Sequence, residues 1–236
     1  VKLTRLSAAP AVLGTGQLAL KKGTSTTLQI FGANLPAVTP AEIALGQGVQ
    51  VTAVTSATPT ALTLQVAVAA DAKPGPRDIV VASVVRPSAY VVYEKIDGIK
   101  VLPRAGLARV GGVVFPKGFQ QFEAMAYAVG PDGKPDTADD WPLGLVDATW
   151  GVEEFSATFN DDDLRFVGTM DPKTGLFTPN VDGPNPERSG NRNNIGDLYV
   201  TADYTPEGTA APIRARAQLV VAPPVYMRWM TSEVGK

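Results

Sequence analysis

The stretch Ala61-Leu62-Thr63-Leu64-Gln65-Val66-Ala67-Val68 decides the fold class, because its large apolar residues occupy every second position. That period of two places all the large side chains on one face of a β-strand, whereas a helix would spread them around its axis. Further apolar alternations in the first part of the chain cover Thr26–Ile30, Ile79–Val85 and Tyr90–Tyr93, and turns that contain Gly or Pro separate them. Short strands and turns at this spacing predict a β-sandwich.

The second part of the chain is also strand-like but has longer insertions, and a tight turn at Asp97-Gly98 marks its start. We therefore predict an all-β chain of two tandem immunoglobulin-like β-sandwich domains, residues 1–97 and 98–222, followed by a tail, residues 223–236. Trp150 is expected to pack in the second core, since large rings anchor such domains. The predicted strands of the second domain are Gln120–Val129, Ala148–Val152, Leu176–Thr178, Asp197–Tyr204 and Ala215–Val221, with further apolar alternations at Ile99–Leu102 and Val113–Phe115.

The 236 residues contain no histidine and no cysteine. This composition removes the usual zinc, copper and haem ligands and excludes Ser-His and Cys-His catalysis. Carboxylate chemistry, an oxygen-ligated cation and a structural role remain. Hydrophobic residues make up 44% and charged residues 19%, which is typical of a folded protein. The net charge of -2 provides no basic surface for phosphates, so we expect no nucleic acid partner.

Two features of the sequence concern its location. No stretch approaches the roughly 20 consecutive apolar residues of a membrane helix, so no membrane span is predicted. The chain begins at Val1 and not at an initiator methionine, which is typical of a chain whose signal peptide has been cleaved or of a piece of a longer precursor. A periplasmic or otherwise exported location is therefore expected, although the lack of cysteine is compatible with either redox compartment.

The acidic loop Asp132–Asp140 is the clearest candidate for a metal site, because it combines four aspartates with Gly and Pro turns. Calcium takes about six to eight hard oxygen ligands, which carboxylates in loops supply. The spacing differs from that of an EF-hand, and the bidentate glutamate of that motif is missing. Two interpretations stay open, a calcium site and a solvated hairpin loop in which aspartates form the turns. The candidate calcium ligands are Asp132, Asp136, Asp139 and Asp140.

A second acidic cluster, Asn160–Asp163, precedes Leu164. With the nearby Glu153 and Glu154 it raises the hypothesis of a carboxylate-based hydrolase, in which two carboxyl groups face each other across a cleft. A solvated loop or the start of a helix explains the same run of aspartates. We therefore assign no catalytic residue to this chain.

The segment of residues 181–194 is long, polar and rich in Pro and Asn, and predicted strands flank it. Loops of this length in compact domains are often functional or bound to a partner. Arg188 and Arg192 are accordingly predicted to bind a partner protein through ion pairs. An exposed loop without a partner is the alternative.

The tail that follows the last predicted strand carries two aromatic residues, two methionines and an arginine after Pro223-Pro224. These residue types are enriched in protein interfaces and are unfavourable when left in water. We predict that the tail docks on a neighbouring subunit, and the alternative is that it folds back on its own domain. The predicted contact residues are Tyr226, Met227, Trp229 and Met230.

The first domain resembles the IPT/TIG type of immunoglobulin-like domain. In that type a Gly-x-Asn-Leu turn follows the second strand, as in Phe31–Pro36, and a Pro-Gly turn opens the last strand, as in Pro74–Val81. The same order of segments includes Ile43–Gly46 and Val49–Val54 between those two turns. Gly32 and Asn34 are expected to adopt positive φ at the first of these turns.

The second domain resembles the C-terminal domain of the large (alpha) subunit of quinohemoprotein amine dehydrogenase. The order and spacing of many unusual segments carry this resemblance, and with the first domain it covers nearly the whole chain. The matching segments are Gly98–Pro103, Ala108–Gly112, Phe122–Ala124, Gly130–Asp140, Ala148–Glu153, Gly168–Asp171, Thr174–Pro179, Gly183–Pro186 and Asn193–Leu198.

The resemblance implies a role in a periplasmic amine-oxidising complex. In that family the large subunit carries a two-haem cytochrome domain before its β domains, and it assembles with a β-propeller subunit and a small subunit that holds a tryptophan-derived quinone crosslinked through cysteine. This chain resembles the β part, and without cysteine it has no position for either covalent attachment. The resemblance therefore implies that haem and quinone, where present, lie on partner chains.

Three functional hypotheses follow from the sequence. The first is a non-catalytic structural or assembly subunit, or a fragment of one, in such a redox complex. The second is a free-standing extracytoplasmic immunoglobulin-like module for binding or adhesion, whose loops recognise glycan or protein. The third, a carboxylate-based hydrolase, has the least support because no convincing pair of carboxylates is identified.

Overall fold

The structure is a computed structural model and describes residues 9–155, 162–188 and 193–224. Two compact units make up the chain, Val1–Gly98 with Ala126–Gly144 and Ile99–Met125 with Leu145–Lys236. The domain limits given above, residues 1–97, 98–222 and 223–236, stay predictions. Among the described residues, no helix is long and apolar enough to cross a membrane.

The first sandwich contains two four-stranded sheets in a part of the chain that is described throughout. Its strands are β1 (Ala11–Thr15), β2 (Ala19–Lys21), β3 (Ser25–Ala33), β4 (Ile43–Ala44), β5 (Val49–Ala57), β6 (Ala61–Val68), β7 (Gly75–Val81) and β8 (Val84–Tyr93). The sheets have the orders β1-β3-β6-β5 and β2-β8-β7-β4, and apolar side chains from both form one core. The predicted all-β, immunoglobulin-like sandwich fold is confirmed.

The stretch that decides the fold class forms β6, which lies inside the first sheet. Leu62, Leu64 and Val66 are almost completely buried, whereas Thr63 and Gln65 between them are partly exposed. β6 pairs antiparallel with β3 on one side and with β5 on the other. Because successive side chains of a strand point to opposite faces, the alternation in the sequence becomes an apolar row on the core face.

The first strand of this sandwich is broken, so that its two halves join different sheets. β1 pairs antiparallel with β3, and β2 pairs parallel with β8. Between them the Thr15 hydroxyl donates to the carbonyl oxygen of Gln17 at 2.6 Å, and the Gln17 side-chain amide donates to the carbonyl oxygen of Thr27 at 2.8 Å. One short segment of chain therefore supplies an edge strand to each of the two sheets.

The prediction of one continuous strand over Ile79–Val85 is wrong, because the chain turns between β7 and β8. Ala82 in this turn has a φ of 51°, and its N–H donates to the carbonyl oxygen of Glu42 at 2.8 Å. The turn contains neither Gly nor Pro, so the apolar run in the sequence gives no sign of it. β8 then runs to Tyr93, and its pairing with β7 shifts register around Ser88, which has a φ of 46°.

The turn after β3 agrees with the prediction at one of its two positions. Asn34 has a φ of 50°, as predicted, but Gly32 is not in the left-handed region. A Cβ atom on Gly32 would instead collide with the carbonyl oxygen of Ala11. Glycine is needed here because β1 and β3 approach each other closely, and not for its backbone conformation.

The second β-rich part contains three sheets and a single turn of helix among its described residues. Its elements are β9 (Gly98–Leu102), β10 (Ala105–Arg109), β11 (Gln120–Gln121), β12 (Glu123–Ala128), β13 (Trp141–Val146), β14 (Thr149–Glu154), α1 (Asp163–Phe166), β15 (Gly168–Met170), β16 (Leu176–Pro179), β17 (Gly196–Tyr204) and β18 (Ile213–Ala222). The sheets have the orders β10-β18-β17-β14, β11-β16-β15 and β13-β12-β9.

A broken first strand occurs here as well. Pro103 and Arg104 separate β9 from β10, and the two strands belong to different sheets. β10 then pairs parallel with the last strand, from Ala105 opposite Gln218 to Arg109 opposite Ala222. The parallel pairing of β2 with β8 in the first sandwich has the same arrangement, in which the second half of the first strand runs beside the last strand.

Three strands of the second part, β10, β13 and β15, were not predicted, and the predicted alternation Val113–Phe115 lies in a loop between β10 and β11. We did not predict β10 and β13 because each contains a glycine, and glycine has a low preference for strands. Gly106 in β10 has a packing role, because a Cβ atom there would lie 2.5 Å from the Phe122 ring. The close contact with Phe122 therefore explains why a glycine is found at position 106 of this strand.

Trp150 is buried on β14, as predicted. Gly175, in the turn before β16, lies directly against it. A Cβ atom on Gly175 would be 2.8 Å from an atom of the indole ring and 2.7 Å from the carbonyl oxygen of Phe122, and the residue has a φ of 70°. The turn therefore needs glycine both for its backbone conformation and for the space that the ring occupies.

Substitution of Gly175 by alanine is expected to destabilise the second domain much more than the same change at Gly208. Gly208 has a φ of 79° but no atom within 4 Å of the position that a methyl group would take, so Gly208→Ala should cost about 1–2 kcal/mol from backbone strain alone. Gly175→Ala adds the overpacking of the Trp150 ring, about 1–3 kcal/mol more. Urea unfolding curves of both variants test this, and equal losses of free energy would contradict the packing argument.

Candidate functional site

A buried ion pair holds the long segment between β16 and β17. The side chains of Arg188 and Asp163 are each 1% exposed and form an ion pair with each other. Arg188 Nη1 also donates to the carbonyl oxygens of Asn193 at 2.9 Å and Ile195 at 2.6 Å. Asp163 Oδ2 accepts a hydrogen bond from the N–H of Asp197 at 2.7 Å. The pair therefore connects α1, the long segment and the start of β17.

The local sequence explains why Asp163 reaches this position. Asp162 adopts a φ of 60°, and the chain then forms the single turn α1, which buries Phe166. Gly196 lies against the carboxylate, and a Cβ atom there would collide with the Asp163 carboxylate oxygens. A glycine at the start of β17 is therefore required by the close approach of the acid, not by a turn.

Asparagine side chains fix the rest of the long segment. Asn185 Nδ2 donates to Asn194 Oδ1, and Asn194 Nδ2 donates to the carbonyl oxygen of Val181, each at 2.9 Å. Asn180 Nδ2 donates to the carbonyl oxygen of Phe166 at 2.9 Å. Amide side chains satisfy main-chain groups in this way where no regular secondary structure is available to do so.

The structure therefore places the predicted partner residue Arg188 inside its own domain. Its guanidinium is committed to Asp163 and to main-chain carbonyl groups, so the cation neutralises a buried acid. Arg192, the other residue of that prediction, lies outside the described residues, as do Tyr226, Met227, Trp229 and Met230 of the tail. Contact with a partner at these positions stays a prediction.

The described residues of the acidic cluster and its neighbours bind groups of their own domain at Asp163 and Glu154. Asn160 and Asp161 lie outside the described residues, and Asp163 belongs to the buried ion pair. Glu154 accepts a hydrogen bond from the N–H of Leu164 at 3.4 Å. The described carboxylates of Asp163 and Glu154 thus bind neighbouring groups of the same domain.

Glu153 takes part in a charged network on the outer face of the sheet β10-β18-β17-β14. Arg214 lies opposite Asp203 in the register of β17 and β18, and its Nε and Nη2 atoms donate to the two oxygens of that carboxylate at 2.7 Å each. Glu153 accepts from Arg214 Nη1 and Arg216 Nη2 at 2.8 Å each. The hydrogen bond from Arg214 holds the pKa of Asp203 below its usual range. The sequence analysis missed this network, although arginine at alternate strand positions 214 and 216 was a usable signal.

The aspartates of the acidic loop accept hydrogen bonds from the loop itself. Asp132 Oδ1 accepts from the N–H of Lys134 at 2.8 Å, and Asp139 Oδ1 accepts from the Thr137 hydroxyl at 2.6 Å. Asp140 Oδ2 accepts from the N–H of Thr137 at 3.1 Å. The Thr137 hydroxyl, followed by the N–H of Asp132, lowers the pKa of Asp139. These bonds are those of aspartates that form turns.

Asp136 stands in the same loop with a φ of 61°, which suits a turn residue. Across residues 9–155, 162–188 and 193–224, no group of three or more acidic side chains is arranged so that it could hold a metal ion. The geometry therefore favours the hairpin-loop interpretation of Asp132, Asp136, Asp139 and Asp140.

Comparison with protein families gives two matches, one after the other along the chain. The model of domain III of the quinohemoprotein amine dehydrogenase alpha subunit matches residues 9–94, and the model of domain IV of the same subunit matches residues 99–234. The chain belongs to the quinohemoprotein amine dehydrogenase alpha-subunit family. The resemblance found in the sequence is thereby confirmed, and the acidic loop, the buried ion pair and the tail as far as residue 234 lie in the domain IV match.

Solved structures similar to this alpha-subunit chain are distant. Domains 4–9 of the surface layer protein SbsC are 11% identical, with 92% of this chain and 32% of that chain covered and a TM-score of 0.29. The fibronectin(III)-like modules of CbhA from Clostridium thermocellum are 12% identical, with coverages of 93% and 95% and a TM-score of 0.27. The I9-I11 tandem of titin is 8% identical, with coverages of 89% and 66% and a TM-score of 0.20. No curated protein sequence matches the chain.

Arg188→Ala is expected to destabilise domain IV by about 3–5 kcal/mol, because it leaves the Asp163 carboxylate buried without its counter-charge. Arg165→Ala is the matched control. Arg165 pairs with Glu187 at 3.4 Å, but the two side chains are 68% and 69% exposed, so its loss should cost about 0–1 kcal/mol. Urea unfolding measures both values, and the double change Asp163→Leu with Arg188→Met should cost less than Arg188→Ala alone. Equal small losses at Arg188 and Arg165 would contradict the ion-pair argument.

An excess of EDTA is expected to leave the melting temperature of the chain unchanged, because the acidic loop is held by its own hydrogen bonds. Melting is followed by circular dichroism with EDTA and with added calcium. A rise of the melting temperature in calcium that disappears in Asp139→Asn would support the calcium site instead, since a ligand that binds only the folded state stabilises it.

Proposed function

We propose that this chain is a non-catalytic structural part of a periplasmic redox complex of the amine dehydrogenase type. It packs against other subunits, and the haem groups and the quinone are carried outside these two domains. The single observation that carries the proposal is the ordered pair of family matches, domain III at residues 9–94 and domain IV at residues 99–234. Two neighbouring domains of one subunit, in their order, are a more specific signal than either match alone.

The chemistry of the chain supports a structural role. A c-type haem and a thioether-linked quinone are both attached through cysteine, and the sequence contains none. It also contains no histidine, which is the usual acid and base near neutral pH. Nucleophilic catalysis by a serine or cysteine activated by histidine is therefore excluded for these residues.

Several of the described charged residues bind groups of their own domain. Arg188 and Asp163 join α1 to β17, and Glu153 binds the arginines of β18. Side chains committed in this way stabilise a shape and are not available to bind or transform a small molecule. A domain built in this manner presents a defined surface to other subunits.

Affinity capture of the tagged chain from an amine-grown bacterium that produces the haem and quinone subunits tests the proposal. We expect a haem-absorbing subunit and a small subunit positive in a quinone redox stain to elute with the chain. An unrelated tandem immunoglobulin-like protein with the same tag and export signal is the control. The quaternary mass of the eluate is measured by light scattering.

A colourless, monomeric eluate from that experiment would contradict the proposal and support the free-standing binding module instead. Capture by a chain with the changes Tyr226→Ala and Trp229→Ala separately tests the prediction that the tail docks on a neighbour. Weaker capture with an unchanged melting temperature supports docking, whereas a lower melting temperature shows that the tail packs on its own domain.

A further inference from the structure

Domain IV contains a cavity of about 210 Å³ where the start of β12, the junction of β13 with β14 and the turn before β16 meet. Phe122 and Ala124 are buried in its wall, and Leu145, which also lines it, is 56% exposed. Sites for drug-sized ligands measure about 300–1,000 Å³. This cavity therefore suits a smaller molecule, of the size of one amino acid or one sugar ring.

The indole N–H of Trp150 is a hydrogen-bond donor at this cavity. Trp150 lines the cavity and is 7% exposed. Within the described residues its N–H donates to no acceptor, and it is not sealed from solvent. Gly175 keeps the space beside it open, since a Cβ atom there would lie 3.0 Å from the indole nitrogen. A buried tryptophan N–H usually has a hydrogen-bond partner, so an acceptor on a bound molecule would complete this one.

Charged side chains of both signs line the same cavity. They are the carboxylates of Glu123 and Asp147 and the ammonium group of Lys173. In the part of the chain that the structure describes, none of the three side chains takes part in an ion pair or a hydrogen bond. Opposite charges that line one cleft without pairing with each other are each available to a ligand group of the opposite sign, and hydrogen bonds to ionised groups are the stronger ones.

The turn that carries Lys173 is held by main-chain groups. Asp171 Oδ1 accepts from the N–H groups of Lys173 at 2.8 Å and Thr174 at 3.0 Å, and the N–H of Gly175 donates to the Asp171 carbonyl oxygen at 3.1 Å. These N–H groups, and to a lesser degree the Lys173 charge, lower the pKa of Asp171. Gln121 Nε2 donates to the carbonyl oxygen of Thr174 at 2.6 Å and links the turn to β11. A cavity with walls fixed in this way loses little conformational entropy on binding.

We propose that this cavity binds a small zwitterion, a free α-amino acid with an apolar side chain. The ligand carboxylate accepts hydrogen bonds from the Trp150 N–H and from Lys173. The ligand ammonium group donates to Glu123 and Asp147, and the ligand side chain packs on the apolar wall. The site goes beyond the proposed function, which concerns contacts between subunits and makes no use of this cavity.

A sugar or a simple amine satisfies fewer of these groups. A neutral sugar leaves the three charged side chains without a counter-charge. A simple amine pairs with the carboxylates but offers no acceptor to the Trp150 N–H or to Lys173. Only a ligand with both charges meets the donors and the acceptors of the cavity together.

Isothermal titration calorimetry of the full chain tests the inference with L-leucine, the smaller L-alanine, 3-methylbutylamine, 4-methylpentanoate and D-glucose. The second pair are leucine without its carboxylate and leucine without its ammonium group. We expect L-leucine to bind with a dissociation constant of about 1 mM or below. Each of its two analogues should bind at least about tenfold more weakly, because each lacks one charge-assisted set of hydrogen bonds.

The other outcomes of this titration overturn the inference. Absence of saturable binding by L-leucine and L-alanine up to about 10 mM excludes an amino acid site. Binding of 3-methylbutylamine or 4-methylpentanoate as tight as that of L-leucine excludes recognition of both charges. Preferential binding of D-glucose assigns the cavity to a sugar. The proposed function is unaffected by these results, since subunit capture tests it separately.

Substitutions show whether binding occurs in this cavity. Trp150→Phe keeps an aromatic ring and removes the indole donor, so it should weaken L-leucine binding about threefold to tenfold. Lys173→Met should weaken L-leucine binding and leave that of 3-methylbutylamine unchanged, because the amine has no carboxylate for Lys173 to bind. Glu123→Gln should weaken binding of both ligands.

Lys134→Met and Glu207→Gln are the matched controls, because both side chains are exposed and lie outside the cavity. They should leave L-leucine binding unchanged. Lys173 and Glu123 are exposed as well, so their variants should keep the wild-type melting temperature and remain informative where Trp150→Phe is less stable. Unchanged L-leucine binding by both Lys173→Met and Glu123→Gln would overturn the inference.

Discussion

Both sandwiches depend on the requirement that the apolar row of each strand is covered by a second sheet. A leucine or valine in such a row contributes about 1.5–3 kcal/mol when it is fully buried, so a strand without a facing sheet would lose most of its stabilisation. β6 shows the requirement most clearly, because its apolar residues are buried at every second position. The broken first strands link the sheets covalently. β1 and β2 supply one edge strand to each sheet of the first sandwich, and β9 and β10 do the same for two sheets of the second part.

Once the sheets are in place, burial decides what each polar side chain does. Two arginine-carboxylate ion pairs join the long segment before β17 to α1, and they differ in how far they are buried. The Arg165–Glu187 pair is largely exposed and solvated, whereas the Arg188–Asp163 pair is enclosed and has main-chain partners on both sides. Removing one partner from the enclosed pair leaves a charge in a medium of low polarity, and this is why the pair defines the path of the segment.

The proposed structural role is supported by charged side chains that bind within their own domain. Arg188 and Asp163 are enclosed in domain IV, and Glu153 binds Arg214 and Arg216 on its sheet. Val113, Val114 and Phe119 differ, because they are exposed on a loop whose base is held by main-chain hydrogen bonds. Groups of exposed apolar side chains are a feature of surfaces that contact other molecules.

Local patterns in the sequence determined the fold class, the tandem arrangement of two β-sandwiches and the family, because alternation, turn residues and motif spacing depend only on neighbours along the chain. Trp150 could be assigned to the core for the same reason. Only the tertiary structure decided the roles of Gly106, Gly175 and Gly196, which make room for a ring or a carboxylate from distant segments. It also placed Arg188 inside the domain and Val113 and Val114 on an exposed loop. Burial is a property of the three-dimensional contacts, and a charge or an apolar run looks the same in the sequence whether it is enclosed or exposed.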